Sequence, residues 1–447
     1  MSLLAPLSGD VVASGGAASS STTTQLRAGE EFRFEVDNAS ECTLTLTAGA
    51  AEVFGAEMVL NRPYTFSCAS GVASSNAVFS WSGCTLEVSG QPAHSYVASE
   101  TPMTAILQLQ GQLDSRRAAA RSMGSDGPRV LVAGPADSGK SSLCRILANY
   151  LARSGHSGTL VDLDIASGEH LVPGALCAIP ICRPLDIEGS TEDLTPLAHW
   201  LGHTSAAEHV VQLKQLLSTL AQTVRRRHEA DAAARAGGMV INSIGWVDGA
   251  GYEMLLQVSA ELGADVLVVI GDDRLHSQLI SYAQSAPGSP SVVKLAKSGG
   301  VVARTPASRQ LSLSGRVHEY LYGAKRELFP HSLTLDFGAV NVCSIGVAPK
   351  PPKSALPMGM RIEENLLAAK QLPHSLYPSL SHSVLALVYS ESGLCDDLLA
   401  ANVVGFVWVS GVDLEKQKIT LLAPSPLAMP ALWLLAGSIK WNGEAAK

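Results

Sequence analysis

The chain has 447 residues, of which 46% are hydrophobic and 16% charged, and its formal net charge at pH 7 is −8. This composition is typical of a globular protein with about two to four domains. The acidic balance excludes the global basic field that attracts nucleic acids non-specifically. No apolar run reaches about 18 residues and the N-terminus lacks a basic start, so we expect neither a membrane span nor export.

The cysteines of the chain lack the spacing of a zinc site or a disulfide framework. None of the eight forms a C-x-x-C pair, which favours reduced and mostly buried thiols in the cytosol or nucleus. They are Cys42, Cys68, Cys84, Cys144, Cys177, Cys182, Cys343 and Cys395.

The N-terminal region divides into a polar start and a stretch of alternating residues. Residues 1–25 are small and polar and predict a disordered lead-in. Apolar side chains such as Phe32 and Phe34 then alternate with polar ones such as Arg33, which predicts half-buried strands. Similar runs continue, so we predict an antiparallel β domain over residues 26–100.

A helical pattern follows the β region. Met103, Ile106 and Leu109 recur at helical spacing after Pro102, and the pattern ends before a break rich in glycine and aspartate. The spacing predicts a connecting helix within residues 101–128.

The middle third changes to continuous apolar runs separated by long helical patterns, which is typical of a parallel sheet covered by helices. The runs are residues 130–133, 160–164, 239–241 and 266–270. We therefore predict an α/β fold, with a central P-loop kinase-like parallel sheet domain over residues 129–330. Short β runs return after Phe329 around a Pro-rich linker at 349–352. They predict a C-terminal β-rich domain over residues 331–447.

One predicted helix carries a basic run near its C-terminal end. A solvated face that meets the helix dipole is the ordinary interpretation of such a run, and an RNA contact is the alternative. The run is Arg225, Arg226, Arg227 and His228.

The segment from Gly134 to Ser141 fits the P-loop pattern G-x-x-x-x-G-K-[ST] between a strand and a helix. Its glycines let the backbone approach phosphate oxygens, Lys140 reaches the terminal phosphates, and Ser141 ligates Mg²⁺. We therefore predict that the chain binds ATP and Mg²⁺. The predicted phosphate-side residues are Gly134, Asp137, Ser138, Gly139, Lys140, Ser141 and Ser142.

An acidic pair marks the end of the second central strand, where ligands of α/β sheets bind. Asp164 is the predicted second Mg²⁺ ligand or the base that deprotonates a hydroxyl, ahead of Asp162. A strand-end aspartate that caps the following loop is the alternative.

Two further segments suit a nucleotide substrate. Ser243, Gly245 and Trp246 follow another strand end, where a hydroxyl and an aromatic face can hold a nucleotide, although such a tryptophan also suits core packing. Arg304 and Arg309 follow a glycine-containing segment and are candidates to stabilise a transferring phosphoryl group, although surface arginines are commonly just solvated.

These features resemble the polyribonucleotide 5′-hydroxyl-kinase family of the Clp-one type, subunits of the pre-mRNA cleavage and polyadenylation machinery. The resemblance covers nearly the whole chain, and several stretches occur in family order. Besides the P-loop, these are residues 31–36, 51–57, 79–84, 163–164 with 172–174, 242–246, 297–300 and 405–413.

The resemblance implies a P-loop kinase core between β-rich N- and C-terminal domains, with ATP between the first two. It implies that Asp164 activates the RNA 5′-hydroxyl and that Ser243 and Trp246 form a clasp for the terminal nucleotide. Arg304 and Arg309 match the lid arginines, and Glu31 matches a contact to adenosine. It also implies a nuclear location, a cleavage-factor scaffold subunit and other 3′-end processing proteins as partners, and RNA 5′ ends as a substrate.

The chain departs from the family pattern at two positions. The family continues the acidic strand end as Asp-x-Gly-Gln, whereas this chain has Ala166 and Ser167 after Asp164-Ile, and a basic residue expected near Ser75 is missing. Two functions stay open: an active RNA 5′-hydroxyl kinase, and a structural subunit that holds ATP between domains without turnover. A generic NTPase or small-molecule kinase explains the P-loop but not Trp246, the lid or the flanking β domains.

Overall fold

The protein is described by a computed structural model over residues 21–37, 41–67, 74–190, 194–345, 369–389, 398–426 and 432–443. Most of the predicted lead-in (residues 1–20), the Pro-rich linker at 349–352 and two of the cysteines, Cys68 and Cys395, lie outside these residues.

Nine strands form an N-terminal β-sandwich. They are β1 (Ser21–Leu26), β2 (Glu31–Val36), β3 (Glu41–Gly49), β4 (Glu52–Val53), β5 (Ala56–Glu57), β6 (Pro63–Ser67), β7 (Ser74–Phe79), β8 (Cys84–Gly90) and β9 (His94–Ala98). One sheet has the order β1-β8-β3-β6 and the other β5-β4-β7-β2-β9. Apolar side chains from both sheets, such as Phe34, Leu44 and Leu86, form the core between them.

The predicted lead-in at 1–25 is wrong for residues 21–25. These residues lie in β1, which pairs antiparallel with β8 so that Thr24 faces Leu86. Their polarity indicated disorder, but threonine is β-branched and suits an exposed strand at the edge of a sheet.

Helix α1 (Met103–Met123) joins the sandwich to the central sheet, as its helical spacing predicts. Met103, Ile106 and Leu109 are buried against the following region, and the helix ends at Gly124 in the left-handed conformation.

The central sheet has seven strands in the order β13-β12-β11-β14-β10-β15-β16. They are β10 (Arg129–Ala133), β11 (Gly158–Asp162), β12 (Ala175–Ile181), β13 (Leu197–Trp200), β14 (Met239–Asn242), β15 (Val266–Ile270) and β16 (Ser291–Leu295). The predicted parallel arrangement is confirmed for β10, β11, β14 and β15, and β16 is a fifth parallel strand that the sequence analysis did not predict. The antiparallel β12 and β13 extend the sheet into a mixed one.

Six helices accompany this sheet: α2 (Lys140–Arg153), α3 (Val210–Ala230), α4 (Ala232–Gly237), α5 (Ala250–Leu262), α6 (Asp273–Ser285) and α7 (Pro306–Tyr322). The basic run lies at the end of α3, and it is only partly the solvated face that we predicted. Arg225 and Arg226 are exposed, but His228 is 3% exposed and its Nε2 lies 3.0 Å from Thr159 Oγ1. The ring is buried because the helix packs this side against the sheet.

A fourth, C-terminal sheet, in the order β17-β22-β21-β20-β23-β18-β19, follows α7. Its strands are β17 (His331–Asp336), β18 (Asn341–Ser344), β19 (Lys370–Gln371), β20 (Ser383–Tyr389), β21 (Val403–Asp413), β22 (Lys418–Ala423) and β23 (Leu432–Lys440). One face shares a core with the central region through Trp200, Phe406 and Trp441. The boundaries that we assigned to the three domains stay predictions.

Two observations bear on the predictions from composition. No helix within the described ranges combines the length and the hydropathy that crossing a lipid bilayer demands. Among the described cysteines, Cys182 is exposed, and the buried ones are Cys42, Cys84, Cys144, Cys177 and Cys343.

Candidate active site

A cavity of about 1110 Å³ lies between the N-terminal sandwich, the P-loop and the start of α7. Most of the predicted site residues line it: Glu31, Asp137, Ser138, Gly139, Lys140, Ser141, Ser142, Asp164, Trp246, Arg304 and Arg309. Gly134 and Ser243 are not among its lining residues. Ser243 is 1% exposed, and its hydroxyl donates to the carbonyl oxygen of Ile244, so it lies behind the wall.

Strand order creates this site. The P-loop follows β10, which lies between β14 and β15, and β11 lies on the other side of β14. In this parallel arrangement Asn242, the last residue of β14, is in register with Val132 on β10 and Asp162 on β11. The carboxyl ends of the three strands therefore meet at one edge of the sheet, where α/β proteins bind ligands.

The P-loop backbone is shaped to approach phosphate. Gly139 has φ 94°, a left-handed conformation that glycine adopts without strain, immediately before the N-terminus of α2. Lys140 is 5% exposed, and its Nζ donates to the carbonyl oxygen of Pro135 at 2.9 Å. Burial lowers the pKa of Lys140, and the nearby Asp164 carboxylate partly opposes this shift. The lysine therefore gains from an anion brought into the loop.

Two buried polar atoms at this edge fit ATP and Mg²⁺. Ser138 Oγ and Asn242 Oδ1 have no hydrogen-bond partner among the described residues. A P-loop hydroxyl suits a phosphate oxygen, and an amide oxygen suits Mg²⁺ or its water. No group of three or more His, Cys, Asp or Glu in the described part of the chain could hold a metal. This donor set suits Mg²⁺, which usually takes one or two protein ligands and the substrate phosphates.

Asp162 is the centre of a hydrogen-bond network that the sequence did not indicate. Asn242 Nδ2 donates to Asp162 Oδ1 at 2.9 Å and to Ser141 Oγ at 3.2 Å. His170 Nδ1 lies 2.8 Å from the other oxygen, Asp162 Oδ2. Burial alone would lower the pKa of His170, but the hydrogen bond and charge of Asp162 raise it above its usual value.

Asp164 lies in the loop after β11, since the strand ends two residues earlier than we predicted. The carboxylate accepts a hydrogen bond from the backbone N–H of Ala166 at 3.3 Å and lines the cavity. Burial, and next the charge of Asp162, raise the pKa of Asp164 to about 6. A carboxylate with a raised pKa is a stronger base, which suits proton abstraction.

The glutamine of the family pattern is replaced by Ser167, whose side chain is shorter and has no amide. Its hydroxyl donates to the carbonyl oxygen of Asp164 at 3.2 Å, and it accepts from the N–H of Glu169 at 3.4 Å. The serine thus stabilises the local turn.

The loop after β14 presents Trp246 to the cavity. A Cβ at Gly245 would lie 3.0 Å from the Cα of Ala136 in the P-loop, and one at Gly251 would lie 2.5 Å from Trp246 Cγ. Trp246 is half-buried and also packs against the central core. The two glycines therefore let the indole lie close to the P-loop.

The N-terminal wall is charged and buried, which the prediction of half-buried strands did not anticipate. Arg33 is 7% exposed, and its Nη2 lies 2.7 Å from Glu31 Oε2 and donates to the carbonyl oxygen of Glu100 at 2.8 Å. The guanidinium also lies over the ring of Tyr96. Arg33, on the polar face of β2, is buried because the segment before α7 packs on it: a Cβ at Gly300 would lie 3.0 Å from Arg33 Cδ.

Arg33 also supplies a positive charge near the position where the family's basic residue is missing. Ser75 lines the same wall from β7, which pairs with β2, and Glu35 is its partner in register. Nothing in the sequence distinguished Arg33 from the other polar residues of an alternating strand.

The three matching family models cover most of the chain. They are described as the N-terminal beta-sandwich domain of polyadenylation factor (residues 25–120), the mRNA cleavage and polyadenylation factor CLP1 P-loop (134–323) and the pre-mRNA cleavage complex II protein Clp1 (328–443). The chain belongs to the Clp1 family.

Clp1-family relatives match over nearly their full length. The CLP1 homologue of Culex quinquefasciatus is 38% identical over 93% of this chain and 96% of that protein. The homologue of Arabidopsis thaliana is 40% identical over 93% of each. A Xenopus laevis protein named polyribonucleotide 5′-hydroxyl-kinase Clp1 is 37% identical, again over 93% of each.

Solved Clp1 structures share the fold of this chain. A structure of the extended interface between Pcf11p and Clp1p has a TM-score of 0.83 at 18% identity, and covers 95% of this chain and 100% of that one. A wild-type Clp1p–Pcf11p complex has a TM-score of 0.81 at 19% identity, with 95% and 99% covered.

Proposed function

We propose that this chain is an ATP-binding subunit of the nuclear machinery that cleaves and polyadenylates pre-mRNA, and that its centre phosphorylates the 5′-hydroxyl of RNA. One observation carries the proposal. A single cavity is lined by the P-loop Lys140, the carboxylate of Asp164, the indole of Trp246 and the arginines Arg304 and Arg309. A phosphate cradle, a base, a stacking surface and cations are the parts that phosphoryl transfer to a nucleotide needs.

In the proposed reaction, Asp164 accepts the proton of the RNA 5′-hydroxyl while the oxygen of that hydroxyl bonds to the terminal phosphorus of ATP. The bond from that phosphorus to the bridging oxygen breaks, and ADP leaves. Lys140 and the lid arginines stabilise the negative charge on the transferring group. Trp246 stacks on the terminal base, Ser243 supports this clasp, and Glu31 contacts the adenosine.

Ser141 and Asp164 are the proposed Mg²⁺ ligands, Asp164 through the carboxylate oxygen that does not take up the proton. The ion would neutralise charge on the phosphates. Asn242 holds the Ser141 hydroxyl at 3.2 Å, so it orients the first ligand. Asp162 is held by Asn242 and His170, and supports the same edge.

A structural role for ATP is the second candidate. Residues of the sandwich, including Glu31 and Tyr96, face the P-loop across the cavity, so ATP bound there touches two parts of the chain. Ser167 also takes the place of the expected glutamine amide. Both features suit a nucleotide that braces the domains without turnover.

The proposed partners follow from the names of the relatives. Clp1p was solved with Pcf11p, and the family models name the pre-mRNA cleavage complex. We infer that this chain binds a scaffold subunit of that kind and other 3′-end processing proteins, in the nucleus.

The test incubates the purified protein with γ-labelled ATP, Mg²⁺ and a 5′-hydroxyl oligoribonucleotide. We expect wild type and Lys416→Ala, a substitution at an exposed lysine outside the site, to transfer label. Lys140→Ala and Asp164→Ala should lose at least a hundredfold in rate. Absence of transfer by a protein that releases stoichiometric ATP on unfolding would refute the kinase and leave the structural role.

A further inference from the structure

Asp137 of the P-loop bonds through a single carboxylate oxygen to the lid, by which we mean residues 297–309: the segment before α7 and the first turn of that helix. Its Oδ2 accepts from Arg309 Nη2 at 2.6 Å and from the backbone N–H of Arg304 at 2.9 Å. The Asp137 side chain is 16% exposed and that of Arg309 45% exposed. The two bonds join positions 167 and 172 residues apart in the chain.

The backbone at Asp137 is adapted to this contact. Its φ is 55°, a left-handed conformation that is uncommon for a residue with a side chain, although aspartate and asparagine tolerate it best. The neighbouring Gly139 supports the same docking, because a Cβ there would lie 3.1 Å from Val301 Cγ2. The P-loop therefore meets the lid segment at two places.

The lid residues that Asp137 contacts are joined to one another by cap and backbone hydrogen bonds. Thr305 is the N-cap of α7 and its Oγ1 accepts from the N–H of Ser308 at 3.1 Å, while Pro306 occupies the first turn. The N–H of Arg309 bonds to the carbonyl oxygen of Thr305 at 2.9 Å. Fixing the N–H of Arg304 and the guanidinium of Arg309 therefore fixes the first turn of α7.

We propose that Asp137 is a positioning residue that docks the first turn of α7 on the P-loop, so that Arg309 lies beside the phosphates before ATP enters. A guanidinium has five N–H donors, so the bond to Asp137 leaves others for phosphate oxygens. The effect on phosphoryl transfer rests on the proposed function, but the docking itself does not.

We expect the ion pair between Asp137 and Arg309 to contribute little to folding stability. A positioning role and a purely structural role therefore predict different results. Arg309 is 45% exposed, and an ion pair with one exposed partner contributes little to folding, so removing the charge should change the melting temperature only slightly. Without the contact, the first turn of α7 should be held less firmly on the P-loop. We therefore expect faster exchange of the Arg304 amide hydrogen, and a lower kcat with an unchanged KM for RNA.

The test measures amide hydrogen exchange over residues 302–312 and label transfer for the full chain. Asp137→Asn removes the charge, and Asp137→Gly removes the side chain while accepting the positive φ. We expect at least threefold faster exchange at Arg304 and about a tenfold lower kcat. Adding Asp137→Asn to Arg309→Gln should cause a clearly smaller further loss, because only the contact to Arg304 then remains to be disturbed. Asp413→Asn, in an exposed pair with Lys416, is the control and should change neither.

Unchanged lid exchange in both Asp137 variants would overturn the proposal, whether or not the wild type transfers label. Additive losses in kcat with Arg309→Gln would also overturn it, because the two residues would then act separately. If the wild type transfers no label, faster exchange at Arg304 would still support docking while the kinase function fails.

Discussion

Asn149 illustrates how one side chain links three segments. It is fully buried in α2, its Nδ2 donates to the carbonyl oxygen of Phe54 at 2.8 Å, and its Oδ1 accepts from the N–H of Leu185 at 2.7 Å. Asn149→Ala leaves a carbonyl and an N–H of two half-buried residues unpaired, so we expect a loss of about 1–3 kcal/mol in unfolding free energy. Urea unfolding measures it. Ser122→Ala, on the exposed side of α1, should stay within about 0.5 kcal/mol of wild type.

His228 makes stability depend on pH. Burial, and next the charges of Arg129 and Arg227, lower its pKa to about 4, whereas an unfolded histidine has a pKa near 6.5. The unfolded state therefore binds the proton first as pH falls. The stabilisation is complete above about pH 6.5 and is lost towards pH 4, at up to about 1.4 kcal/mol per pH unit.

The variant His228→Gln provides the comparison, because its amide can bond to Thr159 but does not titrate. Urea unfolding at pH 7, 6 and 5 should show a smaller acid loss in the variant than in wild type. Parallel losses in the two proteins would assign the acid sensitivity to other groups.

At the scale of single residues, the sequence predicted features within one segment but not contacts between distant segments. The P-loop could be predicted because its chemistry lies within one short segment. The bond from Asn242 to Asp162 could not, since it depends on β14 lying beside β11, although the two positions are 80 residues apart. Arg33 was missed because strand alternation shows which face is polar but not that another domain covers that face.

At the scale of elements, the segment before α7 packs on the sandwich through a glycine. A Cβ at Gly300 would lie 3.0 Å from Arg33 Cδ and 3.1 Å from its Nε, and Glu31 holds that guanidinium in place. We expect Gly300→Ala to separate the lid segment from the sandwich and weaken ATP binding about tenfold, or about 1.4 kcal/mol. Isothermal titration calorimetry measures this. Gly338→Ala, where the added methyl meets open space, is the control and should bind like wild type.

The central strands with continuous apolar runs were the easiest elements to predict. The sequence analysis missed β12 and β13 for physical reasons. Pro180 lies within β12, and proline removes a donor that a strand interior normally needs. The strand β13 has only four residues, which gives too little pattern to recognise. Strand β1 was missed because its polar residues suggested disorder.

At the scale of the whole molecule, the C-terminal sheet docks on the central region through two glycines. The N–H of Ser438 donates to the carbonyl oxygen of Gly202 at 2.8 Å, and a Cβ at Gly437 would lie 2.0 Å from that oxygen. Backbone cannot move aside cheaply, so we expect Gly437→Ala to cost about 3 kcal/mol and to expose the interface. Limited proteolysis and thermal unfolding measure both effects. Gly411→Ala in β21 has open space and should leave both unchanged.

The order of the N-terminal β, central α/β and C-terminal β regions along the chain could be predicted from the change of hydrophobic period. Their docking could not, because close approaches such as that of Gly202 and Gly437 join residues more than 200 positions apart. A glycine at such a contact looks in the sequence like any glycine of a turn or strand.

The nucleotide cavity lies between parts of the chain that have separate cores, one in the sandwich and one around the P-loop. A ligand at a thousand times its dissociation constant adds about 4.1 kcal/mol to the state that binds it, and here that state requires both parts in place. ATP bound there, as we propose, would therefore couple the unfolding of the two parts. We expect the sandwich and the P-loop region to melt in one transition with saturating ATP, and at more widely separated temperatures without it.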